Sequence, residues 1–437
     1  MSVNELQYAG QFEILTCELI TANGNSVNLR ASVIDINFYE DIFKSSITGN
    51  ITCFASDDIL SQAQIVGQER LRLRIKTPSK PDNEDINFEN EPLIVHRVSG
   101  KVQLSQNGNA FTLHFISADM LKNQQIRVSQ SYKKEISSIV ESVLADEIQT
   151  QREVTIEKTL GIRSLVIPNL HPYDAIRMVT TEALSESTYS PHYLFFETLS
   201  GFHFRSIQDL YNQEVVIEYN SGVGNLHTND VAPHRNIQYQ FQKVLDFKPI
   251  PSFDTLKNVT SGMLGSKLHL HDIFTKQYHE LEHKYFDNFK DFKRTNSINN
   301  PVYSDIEDIG NYPDAKIHLH PTSRVPLQQE GTYVDGHHVS ADENVENIIS
   351  NQIENSLLSR QSRLFELGQP VRGVLLTVNG FTGLHAGDVV NFTKTPKEVN
   401  IDGKYLIKNT NHYFDVASKR HDITLQCVAD SVETIIE

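Results

Sequence analysis

Two stretches near opposite ends of the chain carry the same strand-and-stop pattern, which points to a fold that uses one β-unit twice. The first reads Gln68-Glu69-Arg70-Leu71-Arg72-Leu73-Arg74-Ile75-Lys76-Thr77-Pro78 and the second Gly387-Asp388-Val389-Val390-Asn391-Phe392-Thr393-Lys394-Thr395-Pro396. In the first, Leu71, Leu73 and Ile75 alternate with Arg70, Arg72, Arg74 and Lys76, the period of two of a half-buried strand. Each ends in Lys-Thr-Pro, and a proline ends a ladder because it has no N–H to donate. A second echo follows in the same order: Ala110-Phe111-Thr112-Leu113-His114-Phe115-Ile116-Ser117-Ala118-Asp119 against Asp422-Ile423-Thr424-Leu425-Gln426-Cys427-Val428-Ala429-Asp430. Between the echoes each copy has a polar loop and one more alternating strand, Leu93 to Val98 in one and Tyr405 to Asn409 in the other. The preserved order predicts a duplicated β-module. Upstream, Ile34, Ile36 and Phe38 share one side of a further strand, with Asp35, Asn37 and Tyr39 on the other.

A chain of 437 residues has room for about two to four domains. Its formal net charge of −16 disfavours nucleic-acid binding through broad electrostatics. There is no apolar run long enough to cross a membrane, and Met1-Ser2-Val3-Asn4-Glu5 does not open as an export signal does. Cys17, Cys53 and Cys427 are odd in number and each sits in a strand-like run, so they are expected as reduced core thiols.

Residues 1–124 read as short β-runs, with turns at Asn23-Gly24-Asn25 and at Gln106-Asn107-Gly108-Asn109 and a short helix or crossing over 57–66. They are expected to form a first antiparallel barrel or sandwich. From residue 125 the period lengthens: Ile136, Ile139, Val140, Val143 and Leu144 form a helical stripe, and Pro172 opens a helix running through Ile176, Val179 and Leu184. With a hairpin of Tyr193 to Glu197 and Gly201 to Ser206, residues 125–225 read as a small α+β domain. A second barrel is expected from 226–273 and 371–437, its first strand at Ile237, Tyr239 and Phe241. The insertion 274–370 is expected to hold a charged helix over 274–292, then a polar loop, then a long helix. Ser340 and Glu343 have capping-box spacing, Val345, Ile348, Ile349, Ile353 and Leu357 follow at helical spacing, and Gly368 and Pro370 supply the stop. Such a helix, about 40 Å long, must pack on something outside its own barrel.

His279-Glu280-Leu281-Glu282-His283 fits H-E-x-x-H, which on a helix presents two imidazoles to zinc with the glutamate as base. Here it is flanked by Lys276, Lys284, Asp287 and Lys290, a third ligand is wanting, and a solvated charged face is the better reading. His269 with His271, and His318 with His320, would each share a strand face and could hold a metal, although with 18 histidines such pairs also arise by coincidence. The basic side of Arg70 to Lys76 is expected to pair with carboxylates. No residue is assigned a catalytic, cofactor-binding or metal-binding role.

The order of β-module, small α+β domain and split second β-module resembles the central baseplate hub protein of contractile-tailed bacteriophages. The phrases Phe43-Lys44-Ser45-Ser46-Ile47-Thr48-Gly49-Asn50-Ile51, Ile65-Val66-Gly67-Gln68-Glu69 and Gly201-Phe202-His203-Phe204-Arg205-Ser206 are similar to what hub proteins carry there. The resemblance covers roughly Phe12 to Val432 and is weakest over the insertion. It implies a mainly β fold of two tail-tube-like antiparallel β-barrel modules, and a structural virion protein of the tail baseplate, assembled in the host cytoplasm, without enzymatic activity or cofactor. It further implies a homotrimer whose six barrels adapt a sixfold tail tube to a threefold spike. Expected partners are the tail spike protein, the tail tube or tube-initiator protein, the tape measure protein and baseplate wedge proteins, with genomic DNA only passing through the channel. The spike is expected to be a separate polypeptide, since no β-helical repeats occur before Glu437. A zinc metallopeptidase using His279, Glu280 and His283, a baseplate cell-wall hydrolase, and a general scaffold or carbohydrate-binding protein are the alternatives.

Overall fold

The computed structural model describes the chain except residues 1–5, 57–64, 66, 68, 80–84, 106–107, 223–236, 251–253, 273–275, 290–291, 297–312, 323–332, 335–336, 339–340, 369–371, 396–400 and 433–437. The expected crossing at 57–66 and the capping residue Ser340 therefore lie largely or wholly outside the described residues.

The first part of the chain contributes β1 (Glu13–Ile20), β2 (Ser26–Asn28), β3 (Val33–Asp41), β4 (Thr48–Ser56), β5 (Arg70–Lys76), β6 (Ile86–Asn87), β7 (Leu93–Ser105) and β8 (Gly108–Ile116). Alternation works as the sequence implies: Leu71, Leu73 and Ile75 are fully buried, and Arg74 on the opposite side pairs with Asp85 at 2.9 Å and Glu89 at 3.6 Å. One core gathers side chains from β1, β3, β4, β5, β7 and β8, so the sheet wraps around its own interior. Gly49 lets β4 approach that core closely, for a Cβ there would lie 2.3 Å from the Asn37 carbonyl oxygen and 2.4 Å from the Phe115 ring. Cys17 and Cys53 are buried here as free thiols, and burial pushes the Cys17 thiol up to about 12.

The middle part folds as expected in kind, with more elements than the sequence reading named. It comprises α1 (Ala118–Gln125), β9 (Val128–Glu135), α2 (Ile136–Ser142) continuing as a π-turn (Val143–Ile148), β10 (Glu153–Ile156), β11 (Ile162–Leu170), α3 (Pro172–Thr180), β12 (Tyr193–Thr198), β13 (Gly201–Ser206) and α4 (Ile207–Asn212). Ile136, Ile139, Val140, Val143 and Leu144 all lie in its core, with Ile176 and Val179 of α3. Pro172 stands in the first turn of α3, while Leu184 falls beyond its end. Ser206 caps α4 by accepting from the Asp209 amide at 3.1 Å.

Next come β14 (Val215–Asn220), α5 (Ile237–Gln242), β15 (Val244–Ile250), α6 (Thr255–Thr260), β16 (Gly265–Asp272), β17 (Gln277–Lys284), β18 (Ile317–Thr322), β19 (Tyr333–Val334) and β20 (His337–His338). The chain ends with α7 (Ala341–Gly368), β21 (Arg372–Asn379), β22 (Val389–Thr393), β23 (Gly403–Asp415) and β24 (Arg420–Ala429). Two expectations fail here. Ile237, Tyr239 and Phe241 belong to the helix α5, not to a strand. Phe241 packs edge-on against Phe381, and the Gln240 carbonyl accepts from Asn379 at 2.8 Å, so tertiary contacts overrode a short alternation. Residues 277–284, expected to be helical, form a strand, because β17 pairs antiparallel with β16 from Gly265↔Lys284 to Asp272↔Gln277.

The long helix α7 does pack beyond its own sheet. Leu358 rests on Leu268 and Leu270 of β16, Ile353 on Leu184, and Leu367 on Phe196, Leu210 and Val389.

The largest sheet unites both ends of the chain. Its strand order is β15-β21-β24-β23-β3-β4-β8-β7-β5-β1-β2, with β22 beside β23, β14 beside β22, and β6 beside β5. The run β3-β4-β8-β7-β5-β1 is matched by β15-β21-β24-β23-β22-β14, and the echoed segments stand at equivalent places, β5 with β22 and β8 with β24. One difference breaks the repeat: β1 runs antiparallel to β5, whereas β14 runs parallel to β22. The second half has its own core, including Val374, Leu376, Phe392, Leu425 and Cys427. The two halves meet where β23 pairs with β3, from Asn409↔Asp41 to Asp415↔Asp35.

Candidate functional site

A strand at residues 277–284 removes the chemistry that the His-Glu spelling suggests. On a strand His279 and His283 share one face and Glu280 points to the other. Glu280 and Glu282 both engage Lys267 Nζ, at 3.0 and 3.3 Å, beside Asp314 at 2.9 Å. His283 is buried, its Nδ1 accepts from Asn288 at 3.3 Å, and burial alone pushes it down to about 4. The two His-x-His pairs also part company. In the parallel ladder His318 and His320 lie opposite Leu268 and Leu270, so they face the side away from His269 and His271. Among the described residues none of these histidines belongs to a group of three that could hold a metal ion.

One such group exists elsewhere: Glu40, His385 and His412, whose ligand atoms all lie within 4.8 Å of one another. Three parts of the molecule meet there. Glu40 comes from β3, His385 from the segment between β21 and β22, and His412 from β23. Glu40 is almost fully buried, at 2% exposure. Its Oε1 accepts from the Leu199 amide at 2.7 Å and faces His385 Nδ1 at 3.1 Å; its Oε2 accepts from the Ala386 amide at 2.7 Å and from Thr410 Oγ1 at 2.8 Å. All four lone-pair directions of the carboxylate are thus used, and a metal ion would have to displace donors already in place. Burial pushes Glu40 up, but His385 and the amide donors outweigh it and hold the carboxyl at about 2. Burial likewise pushes His385 down, yet the Glu40 carboxylate raises it overall. His412 is pushed down to about 4 by burial, and its Nδ1 lies 3.2 Å from Nε2 of His421, whose ring stacks on Phe414. Chemically the group is a clamp. It ties the first half, the turn between β12 and β13, and the second half to one carboxylate.

Glu40→Gln would turn an acceptor into a donor facing two donors. It is expected to lower stability by roughly 2–4 kcal/mol, read from the urea midpoint; an unchanged midpoint would sink the clamp. The sequence singled out none of these residues. Its one usable signal was Glu40, the next position on the inward side after Ile36 and Phe38, where a carboxylate is rare unless paired.

Two more buried charge groups fasten joints between parts of the chain. Arg152 donates to the carbonyls of Thr198 and Leu199 at 2.8 and 2.9 Å, lies over the Phe88 ring, and comes within 3.4 Å of Glu197. Glu197 accepts from the Ile47 amide at 3.1 Å, and its burial raises it to about 7. At the other side Arg363 on α7 bridges Asp430 at 2.7 Å and Glu366 at 2.9 Å, while Arg294 reaches Glu366 at 2.8 Å and Asp430 at 3.3 Å. These three buried groups each serve a joint between parts of the chain, and the largest of those parts is a continuous sheet made of two equivalent halves.

Solved tail proteins are similar to this chain in overall fold. A tail protein from Neisseria meningitidis MC58 superposes with a TM-score of 0.52 at 8% identity, covering 96% of this chain and 97% of that one. The 43 kDa tail protein of prophage MuSo2 from Shewanella oneidensis gives a TM-score of 0.50 at 8% identity, over 95% of this chain and 98% of that one. No family model matches the sequence, and no curated protein is similar to it in sequence. At such identity the likeness lies in the fold: mainly β, with large antiparallel sheets and an α+β part. No helix of the described residues is long and apolar enough to cross a membrane.

Proposed function

We propose that this chain is a structural tail protein, the trimeric hub of a tail baseplate that adapts a sixfold tube to a threefold spike. The observation that carries the reading is the repeat itself. Two equivalent β-halves per chain let three chains offer six similar modules around one axis, which a single module per chain could not do. The domain plan we infer is a first module at 1–124, an α+β unit at 125–225, a second module from 226–273 and 371–437, and the insertion 274–370, with β14 lent to the second module and β16 pairing instead with β17 and β18 of the insertion. Partners on this reading are the spike protein, the tube or its initiator, the tape measure and the wedge proteins, with DNA only in passage through the channel. The place is the virion tail baseplate, after assembly in the host cytoplasm.

The fold likeness to solved tail proteins supports the structural role. Against the metallopeptidase stands the strand geometry that sets Glu280 on the face opposite His279 and His283. Light scattering at micromolar concentration tests the hub. The expected mass is about 150 kDa, three times the 49.6 kDa chain, with six lobes around a hole in negative stain. A monomer at every concentration, with one tightly bound zinc, would replace this reading with the enzyme.

A further inference from the structure

Inside the chain the two halves join edge to edge. β23 pairs with β22 over Gly403 to Leu406, then with β3 over Asn409 to Asp415. Its counterpart β7 pairs with β5 only at Leu93 and Ile94. Beyond these the outer edge of β7 has no strand partner among the described residues, and Val98 and Val102 are 40% and 53% exposed.

The counterpart of β3 is β15, and the match extends to single residues. Each strand carries a bulge at the same point, between Val33 and Asp35 opposite Cys53 and Thr52, and between Val244 and Asp246 opposite Val378 and Thr377. Val33-Ile34-Asp35-Ile36 thereby answers to Val244-Leu245-Asp246-Phe247. β15 pairs with β21, and among the described residues its other edge is also free, with Leu245 38% exposed. Each copy thus contains one complete junction and two complementary half-junctions, one on the outer edge of β15 and one on β7 beyond its short pairing with β5.

We propose that β7 of one copy pairs antiparallel with β15 of the next, repeating between chains the ladder that β23 and β3 make within one. The inference rests on the homo-oligomeric reading above and names its surface. The register follows from the internal ladder, in which Tyr413 stands opposite Asn37 and Asn411 opposite Tyr39. Through the neighbouring pairs Ala110↔Val102 and Thr112↔Ser99, matched with Asp422↔Tyr413 and Thr424↔Asn411, Val102 takes the place of Tyr413 and Ser99 that of Asn411. Lys248 and Ile250 take the places of Asn37 and Tyr39. Val102 therefore faces Lys248 across the interface, and Ser99 faces Ile250. Between Ser99 and Val102 β7 has a bulge, with Gly100 at φ 63°. That extra residue falls opposite Pro249, which has no N–H to offer, so the ladder is interrupted on both strands at one point.

Cysteine pairs test the register directly, because Cys17, Cys53 and Cys427 are buried. The double variant Val102→Cys with Lys248→Cys is oxidised gently, run on a non-reducing denaturing gel, and weighed by light scattering. Most of the protein should shift from the 49.6 kDa band to bands of two and three chains. Neither single variant, nor Val102→Cys combined with Leu256→Cys on exposed α6, should form the three-chain band. Ser99→Cys with Ile250→Cys is the second pair, should the first fold poorly. A trimeric mass without cross-links in either pair overturns the edge pairing and leaves the trimer standing. A monomeric mass without cross-links overturns both.

Discussion

Replacing Asp430 by alanine is expected to destabilise the protein by about 3–5 kcal/mol, because it leaves a buried arginine without its counter-charge. Asp430 stands at the end of β24 with Arg363 at 2.7 Å and Arg294 at 3.3 Å, and it also accepts from the Thr295 amide at 3.0 Å and from Thr295 Oγ1 at 2.7 Å. Arg363, Arg294, Glu366 and Asp430 all have side-chain exposures between 2% and 4%. The two positive and two negative charges therefore balance inside the protein, and removing one leaves a net charge with no water to solvate it. Burial pushes Asp430 up, but the two guanidinium groups hold it at about 2, so it is charged at neutral pH. The urea midpoint of Asp430→Ala measures the loss. A value within about 1 kcal/mol of the parent would mean that water enters the site and the network is ordinary surface pairing.

Acidification from pH 6.5 to 4 is expected to cost the fold several kcal/mol, through its buried neutral histidines. Burial is the largest cause of the shift in each: His203, His283 and His412 are pushed down to about 4, and His192 and His421 are held well below the ordinary imidazole value. Above the unfolded value of about 6.5 both states are neutral and the histidines contribute no pH dependence. Below it the unfolded chain takes up protons that the folded chain refuses, so stability falls until the folded value is reached. Two groups run the other way. His385, raised by Glu40, stabilises below about 6.5 and loses that contribution as pH rises through its folded value; Glu197, raised to about 7 by burial, is easier to accommodate as pH falls through 7. Glu40 and Asp430, both held at about 2, contribute above the usual carboxylate range and lose that contribution only as pH falls towards 2. His283 isolates the effect, since burial is its only cause and it lies apart from the clamp. Between pH 7 and 4.5 the parent should lose roughly 2–3 kcal/mol more than His283→Gln. Equal losses of stability for parent and variant, read from urea titrations at the two pH values, would show that His283 is hydrated.

Much of the β-architecture is legible because alternation is a local property. Strands such as β5 and β8 have one buried face, and that burial writes itself into every second residue. The amphipathic stripe of α2 and the Pro172 start of α3 are legible for the same reason. Residues 237–242 and 277–284 are not, since short polar-rich segments suit helix and strand alike. What decided them was Phe381 beside Phe241 in one case and the β16 edge in the other. The clamp at Glu40 was out of reach because its members are contributed by four separate segments, and only their folding makes them neighbours.

By itself the sequence determined that the chain is mainly β, that its halves repeat, and that its cysteines are core thiols, because periodicity, proline stops and side-chain polarity act within a few residues. The tertiary structure alone decided that the halves share one sheet through β23 and β3, that His279 and Glu280 face apart, and that buried charges close the joints. Pairing between strands depends on which edges meet in space, and that is settled only when the whole core has formed.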